Sequence, residues 1–214
     1  MKEENKNGQS PEKEQLLSSL RNAEEMYVFM SLCTKMPYVL CDEETFDDEV
    51  LLYYTEEDAQ REGKKLIEQR IPIQIAKIEK KQLLGFFSSL YPMGVNGLVI
   101  NKNMESEARL QLGELVIRPN TEDLPDGKVW VENPQLHLTA LYFMQEMRRQ
   151  EKPELTEELK GLQEEILVNY GRGRFIVAVH KENGMPMLKQ KNGDAYQPIF
   201  TDILEFRKFN KEDQ

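Results

Sequence analysis

The chain has 214 residues, of which 39% are hydrophobic and 31% charged, with 38 acidic against 28 basic side chains and a formal net charge of −10. That length allows one large domain or two small ones. The acidic balance argues against a general nucleic-acid or anionic-membrane surface, and no apolar run approaches the ~20 residues that span a bilayer.

Met1–Glu12 is polar, rich in Lys and Glu, and reads as a disordered tail rather than a secretory signal. Leu16, Leu17 and Leu20 then share one helical face. Met26–Cys33 is continuous and apolar, as a buried strand is. Thr34–Pro37 reads as a turn and Tyr38–Cys41 as the returning strand. Asp42–Glu49 is an acidic, exposed loop, and Val50–Tyr54 a third strand. Thr55 caps a helix that runs to about Gln69, with Glu56, Glu57 and Asp58 at its positive end. Ile71, Ile73 and Ile75 alternate along a fourth strand, and Lys81–Tyr91 is a second helix ended by Pro92-Met93-Gly94. Gly97–Asn101 is a fifth strand, and Leu110–Ile117 a further one.

Residues 13–119 are therefore read as one unit and 120–133 as a connector in which Trp130, the only tryptophan, is an anchor. Pro134 opens a helix with Leu136, Ala140, Phe143, Met144 and Met147 on one face, broken at Lys152-Pro153. Thr156 caps the next helix, which ends near Tyr170. Phe175–His180, Met185–Lys189 and Tyr196–Phe200 follow as strands, with a turn at Asn192-Gly193-Asp194 and a last helix capped by Thr201-Asp202.

The halves follow one script of strand, hairpin, strand, strand and capped helix. Met36-Pro37 answers Met185-Pro186, and Tyr53-Tyr54-Thr55 answers Ile199-Phe200-Thr201. An internal duplication is the simplest reading. The second copy, within 134–214, stops after its first helix and is read as incomplete. A strand edge left unpaired by that gap invites homodimerisation. The fold class expected is mixed α/β, with two related units.

These patterns resemble the SseB-like proteins, the enhanced serine sensitivity family. Leu17–Leu32 is similar to the family's opening, and Asn133-Pro134-Gln135-Leu136 to the start of the helix before a second copy. Phe175–Val179, Met185-Pro186 and Pro198-Ile199-Phe200-Thr201-Asp202 resemble the copy itself. The first copy departs from it, having Leu52-Tyr53-Tyr54-Thr55-Glu56 without the proline and Lys102 after Asn101 where proline is expected. The resemblance implies a mixed α/β fold in a bacterial cytoplasm. It implies no reaction.

Candidate sites are few. His137 and His180 are the only histidines, too little material for a triad or a zinc site, and His180 reads as a surface residue. Cys33 and Cys41 flank Pro37 and read as two reduced thiols rather than a redox pair. Asp42–Glu49 lacks the central glycine of a calcium loop and reads as solvated. Gly171-Arg172-Gly173-Arg174 precedes a strand rather than opening a helix, so it reads as a helix end with Gly171 at positive φ, not a phosphate cradle. Met26, Met30, Met36, Met185 and Met187 read as strand core.

No metal, cofactor or catalytic set is expected. The leading expectation is a non-enzymatic protein-interaction or regulatory module with an unidentified protein partner. The alternative is a small-molecule sensor, amino acids included, using a cleft between the units near Trp130, Arg172 and Arg174.

Overall fold

The computed structural model describes residues 10–118, 124–150, 154–180 and 184–210. Helix α1 (Pro11–Asn22) has the Ser10 side chain accepting from the Lys13 N–H, so Pro11 and Glu12 are helical and do not belong to a tail. Strands β1 (Glu25–Ser31), β2 (Val39–Cys41) and β3 (Asp48–Tyr53) come next, then α2 (Glu56–Glu68), β4 (Ile73–Glu79), α3 (Lys80–Leu90) and β5 (Gly97–Ile100). β6 (Ala108–Gln111) and the single turn α4 (Leu112–Leu115) replace the one long strand expected over 110–117. The Gln111 and Glu114 side chains form a capping box there, and that local pairing starts a helix where the apolar spacing suggested extension.

These strands make one mixed six-stranded sheet, ordered β4-β1-β3-β5-β6, with β2 also on β3. Only the β3–β5 pair is parallel, and the crossover between them carries α2, β4 and α3. Tyr38–Cys41 leaves β1 almost at once. A single bridge joins Met30 to Pro37, after which Val39–Cys41 pairs with Asp48–Val50.

The continuous apolar strands follow from burial on both faces. Val28, Leu52, Leu98 and Ile100 pack with Leu17, Leu20, Leu83, Phe87 and Leu90 on one side. Tyr27, Phe29, Leu51, Tyr53 and Val99 pack with Ala59, Ile71 and Ile73 on the other. The acidic run is not wholly solvated as expected. Its last two residues, Asp48 and Glu49, begin β3, and Glu49 is buried beneath Arg109, 3.0 Å away.

Helix α5 (Pro134–Arg149) lies across the first face. Leu138 and Leu141 enter its core. The face expected to be apolar is not the buried one. Leu136 is buried, but Met144 is exposed, while Gln145 is buried because its amide closes the edge of β2. Its Nε2 donates to the Val39 carbonyl at 3.0 Å and its Oε1 accepts from the Val39 N–H at 3.2 Å. Tyr142 donates to Asp48 at 2.6 Å, which fixes the helix over the β2–β3 hairpin.

Helix α6 (Glu157–Arg172), capped by Thr156, packs on α5 and buries only Leu159. The Lys152-Pro153 break lies outside the described residues. The chain then forms β7 (Ile176–Val177), β8 (Leu188–Lys189), β9 (Ala195–Tyr196), β10 (Ile199–Phe200) and α7 (Ile203–Phe209). β7 pairs with β10 and β8 with β9, each as a two-stranded antiparallel ladder apart from the main sheet. The long strands expected at 175–180, 185–189 and 196–200 are thus two residues each. Pro186 and Pro198 supply no N–H to a ladder; β8 begins beyond Pro186, and Pro198 separates β9 from β10. An antiparallel pairing of the first strand with the strand before a capped helix occurs in both parts, β1 with β3 before α2 and β7 with β10 before α7. The cap residues are not equivalent, being Thr55 in one and Asp202 in the other.

Candidate functional site at the α5–α7 junction

The segment 173–210 is tied to the start of α5 through Asn133. Its Nδ2 donates to the carbonyls of Arg174 and Thr201, and its Oδ1 accepts from the Arg174 N–H. Gly173 is required at this latch, since a Cβ would stand 2.6 Å from Asn133 Oδ1. The helix end assigned to Gly171 falls instead at Gly173, whose φ is −72°, so no left-handed residue closes the helix. Arg172 and Arg174 point to solvent, and Trp130 is partly exposed. The structure gives these three residues no common contact among the described residues.

What the latch brings together is a different set. One turn into α5, His137 is 9% exposed, and it faces the N-terminus of α7. There Asp202 is 1% exposed. Its Oδ1 accepts from the Leu204 and Glu205 N–H groups at 2.8 and 3.0 Å, which satisfies the helix start. Its Oδ2 accepts from the Thr201 hydroxyl at 2.8 Å and stands 3.4 Å from His137 Nδ1. The pair makes an ion-pair approach rather than a well-formed hydrogen bond, and buried Nδ1 has no hydrogen-bond partner among the described residues. Glu205, one turn along, completes a group whose donor atoms all lie within 4.8 Å of one another. Burial pushes the Asp202 carboxyl up, but the His137 ring, the Glu205 N–H and the Thr201 hydroxyl outweigh it and hold the group below the ordinary aspartate range. Lys208 donates to Glu205 at 2.5 Å and reaches Met36 Sδ at 2.8 Å.

These residues border a cavity of about 210 Å³, walled also by Met36, Phe86 and Met93. Pocket-sized organic ligands occupy roughly 300–1,000 Å³. The space suits an ion and a few waters better than a metabolite.

No protein-family model, curated protein or solved structure matches this chain. The reading of the site therefore rests on its geometry.

Other candidates have settled places. Cys33 is half-buried and Cys41 exposed, and they are not bonded to each other. Burial, with Asp48 and Asp42 nearby, pushes the Cys41 thiol up, which disfavours the nucleophilic thiolate. Asp42 is held well below the usual carboxylate range by the Thr45 N–H, Arg109 and the Glu44 N–H. Asp47 accepts from Asn96 and Gln111. These carboxylates are spent on the turn and on β6. His180 is exposed. Met26 is core, as expected, whereas Met185 and Met187 are 56% and 50% exposed.

The last correction extends beyond methionine. Of the twenty-one large hydrophobic side chains that are exposed among the described residues, thirteen lie between Leu155 and Phe209. Several are adjacent. Leu188 and Tyr196 face each other across the β8–β9 ladder and are about half exposed, and Val177 opposes Ile199 across β7–β10 with both exposed. On α6, Leu167, Val168 and Tyr170 are exposed. Sequence reasoning passed over both features. A lone histidine carried no signal, and the apolar strand patterns were read as core.

Proposed function

We propose that the chain is a non-enzymatic protein-interaction module, which docks a partner protein presenting an apolar face onto the surface of residues 155–209. The observation that carries this is the adjacency of exposed apolar side chains across ladders that no second layer covers among the described residues. Single exposed hydrophobics are ordinary on any protein, but contiguous ones mark interaction surfaces. The resemblance to SseB-like proteins, and with it a bacterial cytoplasmic setting, agrees with such a role. Residues 13–118 act as the scaffold, and α5 holds the docking segment on it.

The test is affinity capture from an extract of the native host, with wild type beside Leu188→Thr/Tyr196→Thr. Threonine keeps the β preference of the ladder and removes the apolar pair. A specific protein recovered with wild type and lost by about ten-fold or more with the variant supports the proposal. Equal recovery of every protein by the two chains refutes it for this surface.

A further inference from the structure

We infer that His137, Asp202 and Glu205 form a binding site for a divalent transition-metal ion of the zinc class, bridging α5 and α7. The inference is independent of the docking role. Three observations carry it. The donor set is one imidazole nitrogen and two carboxylate oxygens, which suits zinc-class ions rather than calcium, whose sites take 6–8 oxygens. His137 Nδ1 is buried, has no hydrogen-bond partner among the described residues and is turned toward Asp202. Its 3.4 Å separation from Asp202 Oδ2 is the spacing of two donors that each sit about 2.1 Å from a shared tetrahedral ion.

Glu205 supplies the third ligand, because residues three apart on a helix lie on one side of it. The Lys208 ammonium now pairs with Glu205. It is half exposed, so it can turn to solvent when an ion takes its place. The cavity beside the cluster leaves room for a water as fourth ligand. Such an ion would tie α7 and the β10 end to the scaffold helix. It would thereby fix the segment 199–209.

The experiment is calorimetric titration of Zn²⁺ into the chelator-treated full-length protein, with Co²⁺ absorption as a second readout of coordination. Wild type is expected to bind one equivalent, with visible Co²⁺ bands of a four- or five-coordinate site. Glu205→Gln is expected to weaken binding at least ten-fold while leaving the melting temperature of the metal-free chain nearly unchanged. Lys208→Ala is expected to tighten it, because a competing cation is gone. His137→Gln should abolish the Co²⁺ bands. If that chain fails to fold, the opposite shifts of the Glu205 and Lys208 variants still decide the matter. Absence of binding by wild type, or binding that neither variant changes, overturns the inference.

Discussion

At the scale of single residues, the hydrogen-bonding state of buried groups is the most informative feature. The Tyr53 hydroxyl is buried with no hydrogen-bond partner among the described residues, and its ring packs tilted against Phe29 with centroids 5.3 Å apart. Removing an unsatisfied polar atom of this kind relieves its desolvation cost. Tyr53→Phe is therefore expected to keep or raise stability, by about 0–1 kcal/mol in denaturant unfolding. A loss of more than about 1 kcal/mol would show that the hydroxyl has a partner. Arg109 is the contrasting case, since it answers both Asp42 and buried Glu49. Burial pushes the Glu49 carboxyl up against the pull of Arg109. A raised carboxyl favours the protonated fold. Its contribution is thus complete below the ordinary value of 4.5 and is lost as pH rises through the raised one. Arg109→Met removes the compensating cation. The variant should melt lower than wild type, with the gap widening from pH 5 to pH 8, as thermal scans across that range would show. Asp42 works in the opposite direction, because its lowered carboxyl stabilises above the ordinary value of 3.8, so it loses its contribution only at lower pH.

At the scale of elements, α5 joins the two parts of the molecule. Its Gln145 acts as one more strand residue for Val39. Gln145→Leu would leave a buried N–H and carbonyl without partners, at roughly 1–3 kcal/mol each. A loss of about 2–6 kcal/mol in chemical unfolding is expected, and a change below about 1 kcal/mol would mean that water replaces the amide. The sequence announced α5 through Pro134 but not its buried face, because the docking of a polar amide onto a strand edge leaves no periodic trace. The elements of residues 13–118 were legible for the converse reason. Strands buried on both sides are continuous apolar runs, and α2 is announced by Thr55 and its acidic first turn. The Leu112 turn was missed because its capping box decides the conformation over four residues. In the C-terminal segment, the apolar runs were legible but their lengths as strands were not. Strand length depends on partners, and the prolines remove donors where the pattern is otherwise strand-like. His137 could be singled out only through its neighbours Asp202 and Glu205, which are more than sixty residues away in the chain.

For the whole molecule, the two halves differ in how they treat apolar surface. Residues 13–118 enclose theirs on both sides of a six-stranded sheet. Residues 155–209 leave much of theirs open. A zinc-class ion at the α5–α7 junction would hold the second part against the first, and docking would cover it. On the proposed role, this open surface belongs to another protein. Native mass spectrometry of the full chain, purified gently from its own host, tests it most directly. The expected result is a species heavier than the 25.1 kDa chain by the mass of a different protein, which disappears in Leu188→Thr/Tyr196→Thr. A bare 25.1 kDa chain, or an integral multiple of it that the variant leaves intact, would show that no partner protein occupies this surface.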